Sequence, residues 1–429
     1  MRYKILHITS HLGGGVGNAI LGYLSQNKKQ DHEVIALGYT LPEVQHKINQ
    51  LKVSYTDYMY NKHKEIINRM NNFDVVLVHV WNQPLLMDFL VKNELPCCRL
   101  IMWGHVSGLY APDVYTKKIL EYPDMFVFTS PLSYDLDEVK SLGDDIVLDD
   151  IWSTGDIIKY RNIKHVDHDG FIVGYVGTVD YSKMHFNFLK LCRKIIDRGI
   201  SDLEFVVIGG EKEKEIRRKA NEMEIGNFID FTGHIDNVED YLCKFDVFGY
   251  PLNTNHFGTC DLALQEAISA GIPVVVFDNP MEKIIVRHNK TGIIVHSEEE
   301  YVDAICKLYE NVEFRKQLSV SCKNDFDERF SISRLDRQWN DMFNRVMEAS
   351  KKDRKWNINT KNIEHKDVFI ESLGPKHGKI FIENDVDKIR ELGKQERWKT
   401  PFKGTVHNYS NYFPEDRVLR RWSGIMKGI

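Results

Sequence analysis

Four glycines fall within the five residues from Gly13 to Gly17, in the stretch HITSHLGGGVGNAI at residues 7–20. Glycines let a backbone come close to a phosphate, and the free N–H groups at the start of a helix attract anions. The spacing matches neither the dinucleotide-binding pattern G-x-G-x-x-G nor the P-loop pattern. The glycines therefore indicate either a phosphate contact or a tight turn between a strand and a helix, and this stretch alone favours neither.

The composition is that of a folded, globular protein. The chain has 429 residues, 42% of them hydrophobic and 28% charged, and a net charge of −5. The charge is uneven, because residues 352–429 hold 17 Lys and Arg against 11 Asp and Glu, and the remainder is acidic. The seven cysteines show no CxxC spacing, and no apolar run is long enough to span a membrane. We expect a cytoplasmic protein, and the acidic remainder argues against a nucleic-acid partner.

Short apolar runs alternate with helical patterns along the chain, and this alternation starts twice. The first set begins with the strand pattern at residues 4–8, and the second begins with FIVGYVG at residues 171–177. Strands that alternate with helices favour parallel sheets with crossover helices. We predict an α/β protein with two tandem Rossmann-like domains, at residues 1–160 and 161–350, and a basic, aromatic-rich extension at residues 351–429.

The second set contains the stretch FDVFGYPLNTNHFGTCDLALQEAISAGIPVVVFD, in which a strand, a polar loop, a helix and a Gly-Ile-Pro turn follow one another. Its part QEAISAGIPVVV, and the later NKTGIIV, resemble two motifs of the retaining glycosyltransferases of family four, also called group 1. The resemblance covers residues 2–347. It implies the GT-B fold, in which two Rossmann-like domains face each other across a cleft.

The resemblance implies roles for this loop and helix. Glu266 matches the glutamate that holds the ribose hydroxyls of the donor nucleotide, a task that suits a carboxylate because it accepts several hydrogen bonds. Gly258 stands where the family has a second glutamate, and Asp261 is a candidate substitute for it. The N–H groups of the loop before the helix are expected to face the donor phosphate or sugar. This loop consists of Gly258, Thr259, Cys260, Asp261 and Leu262.

The stretch GYVGTVDYSK opens the second domain and carries the cation that the resemblance implies. Lys183 matches a family lysine that pairs with the donor diphosphate and neutralises the charge that grows as the leaving group departs. Thr178 stands at the donor site where the family has an arginine. An exposed lysine at a helix start is the alternative for Lys183. The cations that could replace the missing arginine are Arg287, Lys290 and His185.

The resemblance also implies that residues of the first domain contact the donor. His105, in LIMWGHVSGLY, loosely matches a family histidine that hydrogen bonds to the donor sugar, and a core or capping histidine is the alternative. His79 and Trp81 end the preceding predicted strand at the same sheet edge, where ligands of parallel sheets bind. We expect these two residues either to contact the acceptor or to pack. Three glycines are then expected to leave room for phosphate and acceptor: Gly14, Gly15 and Gly17.

The implied reaction moves a sugar from a nucleotide diphosphate to an acceptor hydroxyl with retention of anomeric configuration. No carboxylate is placed in the sequence to act as a nucleophile, so we expect front-face attack, with the departing phosphate taking the proton of the acceptor. No credible DxD motif is present, so neither a metal nor another cofactor is expected. The acceptor stays open as a glycan, a lipid-linked group or a small molecule, and polysaccharide or other glycan assembly is the expected context.

The tail at residues 352–429 lies beyond the resemblance. Aromatic residues interleave there with Lys and Arg: Trp398, Phe402, Tyr409, Tyr412, Phe413 and Trp422. Three interpretations stay open, namely a strap on the acidic first domain, a contact with the inner face of the membrane or a lipid-linked acceptor, and an oligomer interface. Residues 352–378 are predicted to be irregular and residues 385–399 to be helical.

Three other functions are alternatives to this interpretation. A nucleotide-sugar epimerase would use the same fold without an acceptor. A catalytically idle subunit that binds a nucleotide sugar or a glycan would explain the replacements at Thr178 and Gly258, and binding without turnover would distinguish it. The glycine spacing and the Glu266 region argue against an NAD-dependent dehydrogenase.

Overall fold

The computed structural model describes residues 1–155, 157–210, 212–235, 237–256, 258–356, 362–401 and 403–428. Its strands, in chain order, are β1 (Lys4–Thr9), β2 (Asp31–Ala36), β3 (Ser54–Thr56), β4 (Val75–Val80), β5 (Glu94–Cys98), β6 (Leu100–Gly104), β7 (Leu109–Tyr110), β8 (Asp113–Val114), β9 (Met125–Phe128), β10 (Leu148–Asp150), β11 (Phe171–Val176), β12 (Leu203–Ile208), β13 (Ile229–Gly233), β14 (Val247–Tyr250), β15 (Val274–Phe277), β16 (Gly292–Val295) and β17 (Lys352–Lys355).

The helices are numbered in the same way. They are α1 (Gly14–Gln26), α2 (Pro42–Gln50), α3 (His63–Met70), α4 (Pro84–Lys92), α5 (Lys117–Glu121), α6 (Asp137–Lys140), α7 (Ile158–Arg161), α8 (Phe188–Ile196), α9 (Glu213–Glu222), α10 (Glu239–Leu242), α11 (Leu262–Ala270), α12 (Glu282–Ile285), α13 (Glu298–Glu310), α14 (Val312–Arg329), α15 (Ile332–Glu348), α16 (His365–Ile382), α17 (Val386–Leu392), α18 (Glu396–Lys399), α19 (Val406–Tyr412) and α20 (Arg417–Lys427). Within these described residues, no helix combines the length and apolar character that crossing a bilayer requires.

The chain forms two compact units. Unit 1 comprises Met1–Gly155 together with Ile332–Ile429, and unit 2 comprises Asp156–Ser331. This division differs from the predicted boundaries, which placed residues up to 350 in the second domain and the tail in an extension. Helix α15 lies in unit 1 because Trp339 and Phe343 bury their rings in one apolar cluster with Ile5 and Leu77 of the first sheet.

Unit 1 is built on a parallel seven-stranded sheet with the order β10-β9-β6-β4-β1-β2-β3. Every residue of β4 is buried, as expected for a parallel strand covered on both faces. Neighbouring residues of β1 serve opposite faces: Ile5 joins the apolar cluster that includes residues of α1 and α15, and Leu6 joins the cluster that includes the tail. The strand order reverses between β1 and β4, which is where ligands of such sheets bind.

Unit 2 is built on a parallel six-stranded sheet with the order β13-β12-β11-β14-β15-β16. The strand order reverses between β11 and β14, so the loops that follow these two strands meet at the switch point of the sheet. The predicted α/β class with two Rossmann-like domains is therefore confirmed.

Helix α11 carries part of the predicted donor site, and the backbone at both of its ends is left-handed. Asp261, at its N-terminal cap, has φ 30° and ψ 74°, a conformation that Asp tolerates better than most residues. Gly271, at its C-terminal cap, has φ 82°, which glycine adopts without a steric penalty. The helix therefore begins and ends at residues suited to a sharp change of chain direction.

The tail folds as strand β17 and helices α16 to α20, and it packs on the rest of unit 1. Its buried aromatic side chains share one apolar cluster with Leu86 and Phe89 of α4: Trp356, Phe369, Phe381, Trp398, Tyr409, Phe413 and Trp422. Strand β17 pairs antiparallel with β5, so the prediction of irregular structure at residues 352–378 was wrong. The packing agrees with the strap interpretation. Phe402 lies outside the described residues.

Candidate active site

The loops at the switch point of unit 2 bring together two residues that the sequence singled out separately. Lys183 lies in the loop after β11, and Asp261 lies in the loop after β14. The Nζ atom of Lys183 is 2.8 Å from Oδ1 of Asp261, and the two side chains are 13% and 1% exposed. Lys183 is therefore the cation of a buried ion pair and not an exposed lysine at a helix start.

The pair keeps both charges despite its burial. Burial by itself lowers the pKa of Lys183, but the carboxylate of Asp261 outweighs this effect and the pKa is raised. Burial raises the pKa of Asp261, but the ammonium of Lys183 outweighs this effect and the pKa is lowered. The Tyr250 ring lies 5.3 Å from the Lys183 ammonium, at the distance of a cation–π contact. Each partner therefore stabilises the charged form of the other.

Asn253 holds the turn that carries Lys183. Its side-chain Nδ2 donates to the carbonyl oxygens of Tyr181, at 2.6 Å, and Met184, at 2.8 Å. Its backbone N–H donates to the carbonyl oxygen of Lys183 at 2.9 Å. The loop after β14 thus fixes the position of the loop after β11, and both residues of the ion pair depend on it.

A second buried polar group lies beside the ion pair. Nε2 of His256 donates to the carboxylate of Glu282 at 3.0 Å, and Nδ2 of Asn279 donates to the same carboxylate at 3.0 Å. The backbone N–H of Gly258 donates to Nδ1 of His256 at 3.0 Å. Because Nδ1 accepts a hydrogen bond, His256 is in its neutral Nε2–H form in this arrangement. The N–H of Gly258 is thus engaged by His256, whereas the sequence placed it facing the donor.

Gly258 sits in a crowded position. A Cβ atom there would lie 2.8 Å from Nδ1 and Cε1 of His256 and 2.9 Å from Oδ2 of Asp261. A glutamate at this position, as the resembled family has, would displace one of these side chains. The His256 side chain, which hydrogen bonds to Glu282, therefore occupies the space that a side chain at position 258 would need.

The other predicted donor residues lie around this centre. Glu266 is half-buried on α11, and its charge is one of those that raise the pKa of Tyr250, after burial, Asp261 and Glu282. Thr178 is half-buried, and its carbonyl oxygen accepts the hydroxyl of Tyr175 at 2.9 Å. Thr259 is buried, and Leu262 is the first residue of α11. The carbonyl oxygen of Cys260 accepts a hydrogen bond of 2.6 Å from Nε2 of Gln265.

Two of the three cations considered as substitutes for the missing arginine have other contacts. The guanidinium of Arg287 lies 2.7 Å from Oδ1 of Asp325. The imidazole of His185 stacks on Phe277, with ring centroids 5.0 Å apart. The cation that the described structure places beside Asp261 is Lys183.

Two groups of described residues have donor atoms close enough together to hold a metal ion. One consists of His256, Asp261 and Glu282, and the other of His165, His168 and Asp246. In the first group the Lys183 ammonium already lies 2.8 Å from Asp261, so a divalent cation would meet a positive charge. The second group lies near the amino ends of β11 and β14, beside a cavity of about 370 Å³, at the sheet edge opposite Lys183.

The glycine run of unit 1 divides into open and packed positions. A Cβ atom at Gly14 or Gly15 would meet nothing within 4 Å, and Gly14 has φ 57°, which favours glycine. A Cβ atom at Gly17 would lie 3.3 Å from the backbone of Leu12 and 3.6 Å from Val44. Gly14 and Gly15 thus border open space, whereas Gly17 is buried by packing between α1 and its neighbours.

His105 and His79 are in contact, but only one of them can face a ligand. Nδ1 of His79 lies 2.9 Å from Nε2 of His105. His79 is fully buried and its other nitrogen is also hydrogen bonded, so a direct acceptor contact by this side chain does not fit the structure. His105 is half-buried at the carboxyl end of β6, and burial lowers its pKa to about 3. Trp81 is 8% exposed and packs in the apolar core.

Comparison with known proteins supports the family resemblance of unit 2. Residues 156–324 match the family model described as glycosyl transferases group 1. The 2-deoxystreptamine N-acetyl-D-glucosaminyltransferase of Niallia circulans is 25% identical over 260 residues, which are 53% of this chain and 64% of that protein. The chain thus spans less than two thirds of the length of this relative.

Two further similarities extend over more of the chain. An α-1,4-N-acetyl-D-galactosaminyltransferase of Campylobacter jejuni that acts on an undecaprenol-linked glycan is 22% identical over 381 residues, covering 78% of this chain and 97% of that protein. The structure of HepE from Anabaena in complex with UDP-glucose superposes with a TM-score of 0.64 at 13% identity, covering 80% of this chain and all of that one. The structural match confirms the predicted GT-B fold.

Sequence reasoning missed His256, Glu282 and Asn253, which hold the centre of the unit 2 site together. Asn253 and His256 lie in the polar loop PLNTNHFGT after β14, and a polar loop at the carboxyl end of a parallel strand was a usable signal. Glu282 gave no comparable signal, because it lies in a short helix after β15 and its partner is set only by the fold.

Proposed function

We propose that the protein is a glycosyltransferase that moves a sugar from a nucleotide diphosphate to an acceptor hydroxyl with retention of anomeric configuration, in the assembly of a glycan. One observation carries the proposal: a buried lysine–carboxylate pair lies at the switch point of unit 2, in the segment that resembles group 1 glycosyltransferases. The named relatives, which transfer amino sugars, and the UDP-glucose bound by HepE support a nucleotide-sugar donor.

Lys183 and Glu266 would bind the two ends of the donor nucleotide. The diphosphate would approach the Lys183 ammonium, which Asp261 holds charged and in place. As the bond to the sugar breaks, negative charge grows on the phosphate, and a fixed cation in a site of low polarity stabilises it more than water would. The carboxylate of Glu266 would accept the ribose hydroxyls.

The protein would act by positioning and electrostatics. Asp261 is paired with Lys183 and Glu282 accepts from His256 and Asn279, so neither buried carboxylate is set up as a nucleophile. The proposed route is therefore front-face attack by the acceptor hydroxyl, with its proton passing to the departing phosphate. No step of this route calls for a metal ion.

A second candidate function is a subunit that binds a nucleotide sugar without turning it over. Two observations favour it: Asp261 already neutralises Lys183, and Gly258 leaves no space for the family glutamate. Such a subunit would bind the donor through the same residues. It would differ from an enzyme only in turnover.

The first experiment measures thermal stabilisation of the full chain by UDP, GDP, ADP and CMP and by their sugar derivatives. A ligand at 100 times its Kd adds about 2.7 kcal/mol to the free energy of unfolding, which is readily detected. We expect one nucleotide to give a shift that Glu266→Ala abolishes. Glu313→Ala, which changes a glutamate with a side chain 79% exposed, is the matched control and should keep the shift.

Incubation with the matching nucleotide sugar then distinguishes the alternatives. Release of nucleotide that depends on an added acceptor supports the transferase, and an unchanged sugar with full binding supports the subunit. A changed sugar without any acceptor would identify an epimerase. No shift with any nucleotide would contradict the donor site itself.

A further inference from the structure

Four histidines of unit 1 form one continuous chain of hydrogen bonds beneath α1 and α15. Nδ1 of His32 lies 3.1 Å from Nε2 of His7, Nδ1 of His7 lies 3.0 Å from Nε2 of His79, and Nδ1 of His79 lies 2.9 Å from Nε2 of His105. The chain runs across four neighbouring strands, in the order β2, β1, β4 and β6. It ends at the carboxyl edge of β6, where His105 is half-buried.

The strand register explains why these four side chains meet. His32 pairs with Ile5, two residues before His7, and His7 pairs with Leu77, two residues before His79. His79 pairs with Trp103, two residues before His105. Side chains two residues apart lie on the same face of a sheet, so each strand shifts the next imidazole by one step along that face. The four rings therefore form a diagonal row.

The first acceptor of the row determines the protonation of all the others. Nε2 of His32 lies 2.8 Å from the carbonyl oxygen of Asn27, which can only accept. Neutral His32 must then carry its proton on Nε2, and its Nδ1 must accept from Nε2 of His7. By the same reasoning, Nδ1 of His7 accepts from Nε2 of His79, and Nδ1 of His79 accepts from Nε2 of His105. Every ring carries its proton on Nε2, and Nδ1 of His105 is left as an acceptor.

We propose that His32, His7 and His79 are positioning residues that hold His105 as its Nε2–H tautomer and so present its Nδ1 as a hydrogen-bond acceptor to a substrate hydroxyl. This inference rests on the proposed function for the identity of that hydroxyl, which belongs to the sugar or the acceptor. The predicted contact of His105 with the sugar thus gains a direction: the hydroxyl donates and His105 accepts.

Electrostatics favour the neutral form of the row. Protonation of His7 or His79 would set two N–H groups against each other and break one hydrogen bond, whereas His105 could accept a proton on Nδ1 without such a loss. Burial lowers the pKa of His7 and His79 well below the ordinary value, and lowers that of His32 to about 4. The aromatic neighbours Tyr23 and Trp103 add no charge to the row.

The tautomers can be measured directly, without any substrate, on the full chain labelled with ¹⁵N-histidine. Ring ¹H–¹⁵N correlation spectra at neutral pH should show Nε2–H and a bare Nδ1 for all four residues, assigned with single variants such as His32→Gln and His105→Gln. A proton on Nδ1 of His79 or His105 would overturn the inference, and it would do so whether or not the protein transfers a sugar.

Kinetics separate a positioning role from a purely structural one. In His32→Phe, the His7 proton loses its acceptor, and we expect kcat to fall about tenfold, the effect of one lost hydrogen bond, with nucleotide Kd unchanged. His32→Gln, whose amide can both donate to Asn27 and accept from His7, should restore kcat. His46→Phe, at an exposed position on α2, is the control. Equal kcat for folded wild type and His32→Phe would contradict the inference and leave the proposed function intact.

Discussion

The ammonium of Lys183 and the carboxylate of Asp261 form an ion pair of 2.8 Å within unit 2, with Asp261 only 1% exposed. Oδ2 of the same carboxylate has no hydrogen-bond partner among the described residues. Oδ1 accepts a long hydrogen bond of 3.5 Å from the Tyr250 hydroxyl, so the Lys183 ammonium is the nearest donor to this carboxylate. A diphosphate that reaches Lys183 must compete with a carboxylate that is already in place.

Replacement of Asp261 by Asn tests this competition. Asn keeps the left-handed backbone at this position but leaves the buried Lys183 without a counter-charge, so the free energy of unfolding should fall by about 3–5 kcal/mol. A bound nucleotide diphosphate would supply the missing charge. We therefore expect Asp261→Asn to have a lower Tm than wild type without nucleotide and a larger rise in Tm when the nucleotide is added.

The double variant Lys183→Met with Asp261→Asn is the control for this experiment. It removes both charges, so it should regain much of the lost stability while its response to nucleotide becomes small. If Asp261→Asn bound the nucleotide no more tightly than wild type, the proposed contact between Lys183 and the diphosphate would be wrong.

Gly258 provides a test of local crowding. In Gly258→Ala the new Cβ would lie 2.8 Å from the His256 ring, and overpacking of this kind costs about 1–3 kcal/mol of the free energy of unfolding. The same substitution made in His256→Ala should cost much less, because the ring that it meets is gone. Urea unfolding of the four chains gives the coupling between the two positions. Additive effects would exclude this contact as the reason for the glycine.

The pH dependence of stability should follow the buried histidines. In the folded chain burial lowers the pKa of His105 to about 3 and that of His32 to about 4, whereas both titrate near 6.5 when unfolded. Between pH 6.5 and 4 the unfolded chain binds protons that the folded chain does not. Stability is therefore full above pH 6.5 and falls as the pH decreases, by up to about 1.4 kcal/mol per pH unit for each such histidine.

Urea midpoints at pH 7, 6 and 5 measure this slope. His32→Gln removes one titrating group, so its loss of stability between pH 7 and pH 5 should be smaller than that of wild type. Asp31 and the carbonyl oxygen of Asn27, which favour the charged form of His32, limit the difference. His46→Gln, at a solvent-exposed position, should leave the slope unchanged. A slope that His32→Gln does not alter would contradict the buried, neutral state of the row.

The sequence predicted the parts of the fold that depend on local patterns. The strands β1 and β11 begin at residues 4 and 171, where the sequence placed them, because apolar runs are read from neighbouring residues. Helix α16 was missed, since Gly374 and Pro375 interrupt its pattern and its apolar side chains face a partner distant in sequence.

The candidate site was predictable residue by residue but not as a set of contacts. Lys183 and Asp261 were each identified, yet their pairing depends on the meeting of the β11 and β14 loops, which no local pattern records. His79 was expected either to contact the acceptor or to pack, because it lies near a strand end. Its ring instead points along the sheet to His7 and His105, a direction set by the register of three strands.

The glycine run offers a final test, because two of its positions should respond differently to the same substitution. Gly15 lies in the first turn of α1 with open space around it, so Gly15→Ala should leave the free energy of unfolding unchanged or raise it by up to about 1 kcal/mol. In Gly17→Ala the new Cβ would lie 3.3 Å from the backbone of Leu12, which would have to shift, so we expect Gly17→Ala to be less stable than Gly15→Ala. If the open space receives the phosphate or the acceptor, Gly15→Leu should reduce sugar transfer. Its free energy of unfolding should be no lower than that of Gly17→Ala, so that the loss of activity is not a loss of folding. Full activity of Gly15→Leu would show that the glycines serve the turn alone, and that the space beside them takes no part in the reaction.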